Sequence, residues 1–447
     1  MPTESNGFSS VESAAGLAGF HGIRSVVCKS RSSCGTPSIL HASLPRNLAV
    51  QVSYPDANSP SVYGHIWSTV LAFWYAFVRP RFELLKQNAS LSPLRIFLPT
   101  GLKFKSFTDR SFEEIAALFD CAAARLEIRR VPWVPLCSLE SQFRPGHHTT
   151  FCRCCWSGGK LPSELQGSEP HQLVLLTQFP GNFASKHTPT LMGAVLNRPF
   201  RADARRCLGM TGYIPLALTT APTSVTHGNE ERVVVWVLAS AGSNGRRILN
   251  EQAVIKLVAD ILSSQAHGVW RLETVAPGKD SYVEELRRIG RGRLLVSLFG
   301  ASLHNVRFLP EGSAVLEIHA ALKNDFTSHS DYFYQSLCVD GLGLRWFGYA
   351  PQGFRPVVTD MQAARNASRR AELQRQGKIW WSHERYDTPP HATTYSNVRI
   401  NLTDFGNYFQ RVLHALGGDQ RIDGELAAEY ARALRTAPNP AQIKPIY

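Results

Sequence analysis

The chain has 447 residues, of which 44% are hydrophobic and 19% charged, a balance that supports two or three domains with apolar cores and excludes extensive disorder. Its formal net charge of +13 suits an anionic partner: a nucleotide, a phosphate, an acidic glycan or nucleic acid. The arginines come in scattered pairs (Arg129-Arg130, Arg205-Arg206, Arg246-Arg247, Arg369-Arg370) instead of a dense basic run with interleaved aromatics, so a solvated basic surface is expected and nucleic acid is not.

Residues 1–45 read as a loose leader, and residues 1–60, rich in Ser, Gly and Ala, contain no apolar run resembling a signal peptide. The most apolar stretch, 66–78 (IWSTVLAFWYAFV), is too short to cross a bilayer and predicts a buried helix. Between 46 and 225 helical patterns alternate with short strands, such as 94–98 and 173–176, which defines an N-terminal α/β domain. The polar stretch 221–231 (APTSVTHGNEE) reads as a linker. Asn-x-Ser/Thr triplets at Asn88, Asn366 and Asn401 are no more frequent than this composition produces by chance, and they do not argue for secretion. Nine cysteines leave the compartment open. His147, His148, Cys152, Cys154 and Cys155 lie close together, but the adjacent pair and the lack of a second spaced pair depart from structural zinc patterns. Zinc, a disulfide, and buried or free thiols all remain open there.

A C-terminal domain over 230–400 has the most regular pattern. The run VVVWVL at 233–238 predicts a strand buried on both faces. A Gly/Ser/Asn loop leads to a helix from Asn250, a plausible N-cap, with Glu251 at the positive end of its dipole and Val254, Leu257, Val258, Ile261 and Leu262 at helical spacing. A strand at 269–275, a helix at 281–289, a strand at 294–298 and a short helix at 302–308 follow. Pro310, Glu311 and Gly312 then turn the chain into a strand at 314–318. Such alternation means a parallel, doubly wound sheet. Helical stretches near 361–376, 402–416 and 423–435 close the chain, those beyond residue 401 forming a C-terminal helical segment.

In such sheets ligands sit beyond the carboxyl ends of the strands. The loop 239–250 (ASAGSNGRRILN) brings Gly242, Gly245, Arg246 and Arg247 to a helix start, and 299–305 (FGASLHN) begins a helix with Gly300, Ala301 and Ser302. Small side chains let an anion reach backbone N–H groups, the helix dipole favours negative charge there, and an arginine adds a bidentate contact. Glu317, at the end of the next strand, offers acceptors for a ribose diol. Singly, each has an ordinary explanation: turn chemistry, a solvated helix-start arginine, a surface glutamate. Their order brings all three to one edge of one sheet.

The segments VVVWVLASAGSNGRRILNEQ, SYVEEL, SLFGASLHNVRFLPEGSAVLEI and GLGLRWFGY resemble the catalytic domain of glycosyltransferase family 61, which includes β-1,2-xylosyltransferases and transferases adding N-acetylglucosamine to protein O-linked sites. Tyr63-Gly64-His65, FRADARRCLGM and YSNVRINLTDFGNYFQRVLHAL resemble its flanking elements, so the likeness spans most of 60–416. It implies an α/β, GT-B-like fold, two Rossmann-like domains facing each other across a cleft. It also implies inverting transfer from a UDP-sugar to a glycan or glycoprotein hydroxyl, in the lumen of the Golgi or endoplasmic reticulum. Membrane association would then come only through an N-terminal segment not seen in this sequence. By motif position Arg246 would contact the donor diphosphate with Arg247 beside it. Gly300, Ala301 and Ser302 would face the phosphates, Glu317 would hold the nucleotide, and Asn250 and Asn305, which close the two loop motifs, would also belong to the nucleotide-sugar-binding site. His65 is the candidate base for the acceptor hydroxyl. No cofactor is expected: no Asp-x-Asp occurs, in keeping with arginine and a helix end in place of a metal.

Three positions depart from the family pattern. Ala241 replaces an arginine, Phe299 a histidine, and Thr69 (Ser68 if the register slips) an acidic residue. Loss of a cation and a histidine weakens diphosphate binding, and loss of the carboxylate removes a candidate base. The alternative reading is therefore a catalytically inactive member that keeps the fold and binds a nucleotide or a protein partner.

Overall fold

The computed structural model describes residues 23–30, 33–34, 47–52, 67, 70–71, 73–87, 92–99, 115–131, 171–176, 196–210, 232–239, 247–264, 270–319, 334–335, 337–350 and 398–436. The chain divides into two compact units, Met1–Asn182 with Ala202–Gly209, and Phe183–Arg201 with Met210–Tyr447. Both are α/β. The expected linker at 221–231, the helix near 361–376 and the His147–Cys155 cluster lie outside the described residues.

The first unit contains strands β1 (Ile23–Ser30), β2 (Ser33–Cys34), β3 (Asn47–Val52), β4 (Leu94–Pro99), β5 (Leu126–Val131) and β6 (His171–Leu176), in the order β2-β1-β6-β3-β4-β5. Strands β6, β3, β4 and β5 run parallel, whereas β1 pairs antiparallel with β2 and β6. The stretch 1–45, expected to be a loose leader, thus supplies two strands. Ile23, Val26 and Val27 are β-branched residues that favour extended backbone, a signal diluted in the sequence by the Ser and Gly around them.

Helix α1 (Arg79–Gln87) follows a π-helical turn at Trp74–Val78. The described residues of the apolar stretch before it, Trp67, Val70, Leu71 and Phe73, are helical and buried, as its composition predicts. Trp74 donates its indole N–H to Asp203 Oδ2 at 3.0 Å, on helix α2 (Arg198–Cys207). Burial pushes the Asp203 carboxyl up, and the Trp74 N–H and the neighbouring Arg206 partly counter this. Arg206 also lies 4.8 Å from the Phe82 ring centroid. A disulfide joins Cys121 to Cys207, 86 residues apart.

The second unit carries β7 (Arg232–Val237), α3 (Glu251–Ser264), β8 (Trp270–Val275), α4 (Tyr282–Ile289), β9 (Gly292–Leu298), a 3-10 helix (Ala301–Phe308), β10 (Ala314–Ile318), β11 (Arg345–Tyr349), α5 (Leu402–Leu416) and α6 (Gln420–Thr436). Their limits follow the apolar periodicity closely. All strand pairs are parallel, in the order β11-β10-β9-β7-β8. Alternate side chains of β7, β9 and β10 enter two cores. One face packs Trp236, Val296 and Leu316 against Val254 and Val258 of α3 and Phe405 and Phe409 of α5. The other packs Val235, Leu295 and Val315 against Ile289, Leu303, Val306 and Leu337. Burial on both faces accounts for the unbroken valine run of β7.

Local chemistry sets the ends. Ser281 caps α4 by accepting from Glu284 N, and Asn401 caps α5 by accepting from Thr403 N at 3.0 Å and Asp404 N at 3.3 Å. Gly312, at φ 73°, permits the turn into β10. At Gly348 a Cβ would sit 2.5 Å from the Trp346 ring and 2.6 Å from Tyr430, so only glycine admits that ring pair. No helix among the described residues is long and apolar enough to cross a membrane.

Opening the disulfide releases a long loop in the unfolded chain. Cys207→Ser is expected to destabilise the first unit by about 3 to 5 kcal/mol. Denaturant titration under non-reducing conditions should show an earlier transition for that unit, while the transition of the second unit stays in place.

Candidate functional site

The strand order makes a topological switch between β7 and β9. β7 is followed in sequence by β8 on one side, and the chain then returns past β7 to add β9 on the other. Loops leaving adjacent strands in opposite directions leave a crevice at their carboxyl ends, the ligand position in open α/β sheets. Val237 pairs with Ser297, so the loop that starts at Leu238 begins beside the one that starts at Phe299. The described starts of the two loops singled out by sequence therefore lie side by side at this crevice. Arg246, Ala241, Gly242 and Gly245 lie outside the described residues, as do His65, Ser68 and Thr69.

The described part of the first loop is held from both ends. Ala239 N and the Trp236 indole N–H both donate to Glu251 Oε1, at 3.1 and 3.0 Å. Glu251 thus ties the end of β7 to the first turn of α3. Burial pushes its carboxyl above the ordinary value of 4.5, and these two donors partly pull it back. At the far end, Ile248 forms a parallel bridge with Val398, whose N–H donates to the Arg247 carbonyl at 2.7 Å. The Asn250 carboxamide bonds Ile400 in both directions, donating to its carbonyl at 2.8 Å and accepting from its N–H at 3.0 Å. Asn250 directly precedes α3, as expected of an N-cap, with its carbonyl accepting from Val254 N at 3.1 Å, and its side chain clamps the loop to the segment before α5. The Arg247 side chain is exposed.

The second loop leaves β9 through Gly300, whose φ of 162° and ψ of −175° are extended backbone open to any residue. The missing side chain therefore matters only for what approaches the start of the 3-10 helix. Ser302 Oγ lies 2.9 Å from Ser297 Oγ, which joins this start to β9. Ser297 pairs laterally with Glu317 on β10, so the helix start and the glutamate stand on adjacent strands. Asn305 is buried within the 3-10 helix.

Glu317 has no exposed surface. Its Oε2 accepts from the Trp346 indole N–H at 2.9 Å, and its Oε1 lies 3.7 Å from His319 Nε2. Rings surround this acid: the Phe299 centroid is 4.9 Å from that of His319 and 5.7 Å from that of Tyr334, and Trp346 meets Tyr430 at 5.2 Å. Expected at a ribose, Glu317 is enclosed among aromatic side chains. Deeper still, Arg307 donates to Asn197 Oδ1 at 2.9 Å and to His304 Nδ1 at 2.8 Å. A guanidinium only donates, so His304 accepts at Nδ1 and carries its proton on Nε2. Burial, reinforced by the nearby Glu317 charge, pushes the Cys338 thiol well up and keeps it protonated.

Sequence reasoning missed Trp346, His319, His304, Arg307 and Asn197. Trp346 was readable in part: it pairs with Val315, two residues before Glu317, and period-two alternation puts both side chains on one face. Asn197, more than a hundred residues from Arg307, left no local signal. Among the described residues no group of three or more His, Cys, Asp or Glu is placed to hold a metal ion. No family model matches the sequence, and no curated protein matches it.

Glu251 gives this site a pH signature. Its carboxyl is raised in the folded state, so it favours folding below the ordinary value of 4.5, and that contribution disappears as pH rises through the folded value. Glu251→Gln keeps an oxygen for both donors and cannot ionise. Urea unfolding over a pH series should show that the variant lacks this part of the decline and is at least as stable as the parent at neutral pH. Identical slopes in the two proteins would remove the assignment.

Proposed function

We propose that the chain is an inverting glycosyltransferase that moves a sugar from a UDP-sugar to a hydroxyl of a glycan or glycoprotein. In this reading two Rossmann-like halves face each other across a cleft in a GT-B-like arrangement, and the protein works in the lumen of the Golgi or endoplasmic reticulum. The observation that carries it is the switch between β7 and β9, with a glycine- and arginine-bearing loop on one side and a small-residue helix start on the other. Topology alone suits many nucleotide ligands. The ordered likeness of residues 230–350 to glycosyltransferase family 61 narrows the choice to a nucleotide-sugar donor.

In the proposed mechanism the diphosphate lies against the amides at Gly300, Ala301 and Ser302. Arg246 forms a bidentate contact from the facing loop, and Arg247 adds positive charge nearby. As the glycosidic bond to the leaving UDP breaks, negative charge grows on the diphosphate, and these donors stabilise it most at that moment. His65 removes the acceptor proton as the hydroxyl attacks the anomeric carbon from the opposite face.

The full burial of Glu317, bonded to the Trp346 indole, favours a second reading, a non-catalytic member that keeps the fold and binds a nucleotide or a protein partner. UDP release from a panel of UDP-sugars separates the two. The transferase reading expects release from at least one donor, and a fall of about a hundredfold or more in Arg246→Ala, the scale of losing one charge-stabilising donor. Undiminished activity in that variant would refute the diphosphate contact. A folded protein that releases UDP from no donor supports the second reading.

A further inference from the structure

We propose that Asn401 is an N-glycosylation site, so that the mature chain carries a glycan at the start of α5. The inference does not depend on the transferase reading. The triplet Asn401-Leu402-Thr403 carries nothing by its spacing alone, since composition supplies two or three such triplets by chance; its placement singles it out. Asn401, Leu402, Thr403 and Asp404 are four successive exposed residues. Asn88 and Asn366 lie outside the described residues.

The cap and the glycan are chemically compatible. Capping uses only Asn401 Oδ1, which accepts from Thr403 N and Asp404 N. Glycosylation uses Nδ2. That nitrogen gives up one proton to the base of the transferring enzyme and bonds to the anomeric carbon of an oligosaccharide. The co-reactant is a lipid-diphosphate-linked oligosaccharide, whose bond from the anomeric carbon to the diphosphate breaks, and the lipid diphosphate leaves with the bonding pair. The product is a secondary amide with its oxygen unchanged, so α5 keeps its cap.

Two further observations point the same way. The Cys121–Cys207 disulfide belongs to chains that mature in an oxidising compartment, where such oligosaccharide transfer takes place. Among the described residues three large apolar side chains are exposed: Leu249, Val339 and Leu402. Leu402 is inside the triplet, and Leu249 belongs to the segment paired with 398–400 beside it. A sugar at Asn401 stands where this apolar surface meets water.

The test uses the full chain, delivered to the secretory lumen of eukaryotic cells by a cleavable signal peptide and purified with free thiols alkylated. Peptides are mapped before and after the amidase that removes N-glycans and converts the linked asparagine to aspartate. We expect conversion at Asn401, loss of one glycan's mobility step in Thr403→Ala and its retention in Thr403→Ser, with Cys121 bridged to Cys207 throughout. Asn401→Asp, which keeps a capping oxygen, replaces Thr403→Ala if that variant is not recovered. An unmodified Asn401 in a bridged chain overturns the proposal. So does an unmodified Asn401 in a chain whose Cys121 and Cys207 are both alkylated.

Discussion

The handedness of the β-strand crossover organises the second unit. A parallel β-α-β connection is almost always right-handed. The step from β7 to β8 and the step from β8 back past β7 to β9 run in opposite directions along the sheet, so their helices must lie on opposite faces. The packing agrees: Val254 and Val258 of α3 enter one core, while Ile289 of α4 enters the other. The next two steps, to β10 and β11, continue in the same direction as the step to β9. Their connections accordingly share its face, shown by Leu303 and Val306 of the 3-10 helix and Leu337 before β11. That leaves the opposite face beside β9 to β11 uncovered by any described crossover, and α5 and α6 fill it with Phe405, Phe409, Val412 and Leu426. The strand order sets the crevice between β7 and β9, and one steric rule then fixes the layers and the place of the C-terminal helices.

The same rule explains why this unit was legible in the sequence. Strands buried on both faces must be apolar throughout, helices must be apolar every three or four residues, and Pro310 to Gly312 can only turn. The first unit offered less. Its strand Ile23–Ser30 stands at one side of a mixed sheet in a Ser-rich context, where three β-branched residues do not outweigh their neighbours. Nor could the Cys121–Cys207 pair be read, because nine cysteines permit many pairings and nothing near residue 121 marks its partner at 207. Residues made important by long-range approach, such as Asn197 against Arg307, have no pattern that a single sequence displays.

Sequence order did place the loops at one sheet edge, but not the state of each side chain there. Asn250 and Glu251 occupy positions that look suited to a ligand, yet each satisfies backbone groups that would otherwise be orphaned at a loop end. A helix start near a sheet edge needs such partners whether or not a ligand ever binds. For that reason polar residues there weigh less as functional signals than small residues that leave amides accessible, such as Gly300.

The two flanks of the crevice now make unequal demands on a nucleotide. Toward β7 the Arg247 side chain is exposed. Toward β10 the Phe299 ring packs on His319 and Tyr334, and Glu317 is bonded to Trp346 with no surface exposed. A ribose that reached Glu317 would have to displace an aromatic ring and replace a buried hydrogen bond, and losing that bond without replacement costs about 1–3 kcal/mol. In the proposed reading, nucleoside recognition through Glu317 therefore requires this buried side to open. A ligand held by its phosphates alone discriminates poorly among nucleotides. Base and sugar selectivity must come either from that opening or from residues other than Glu317.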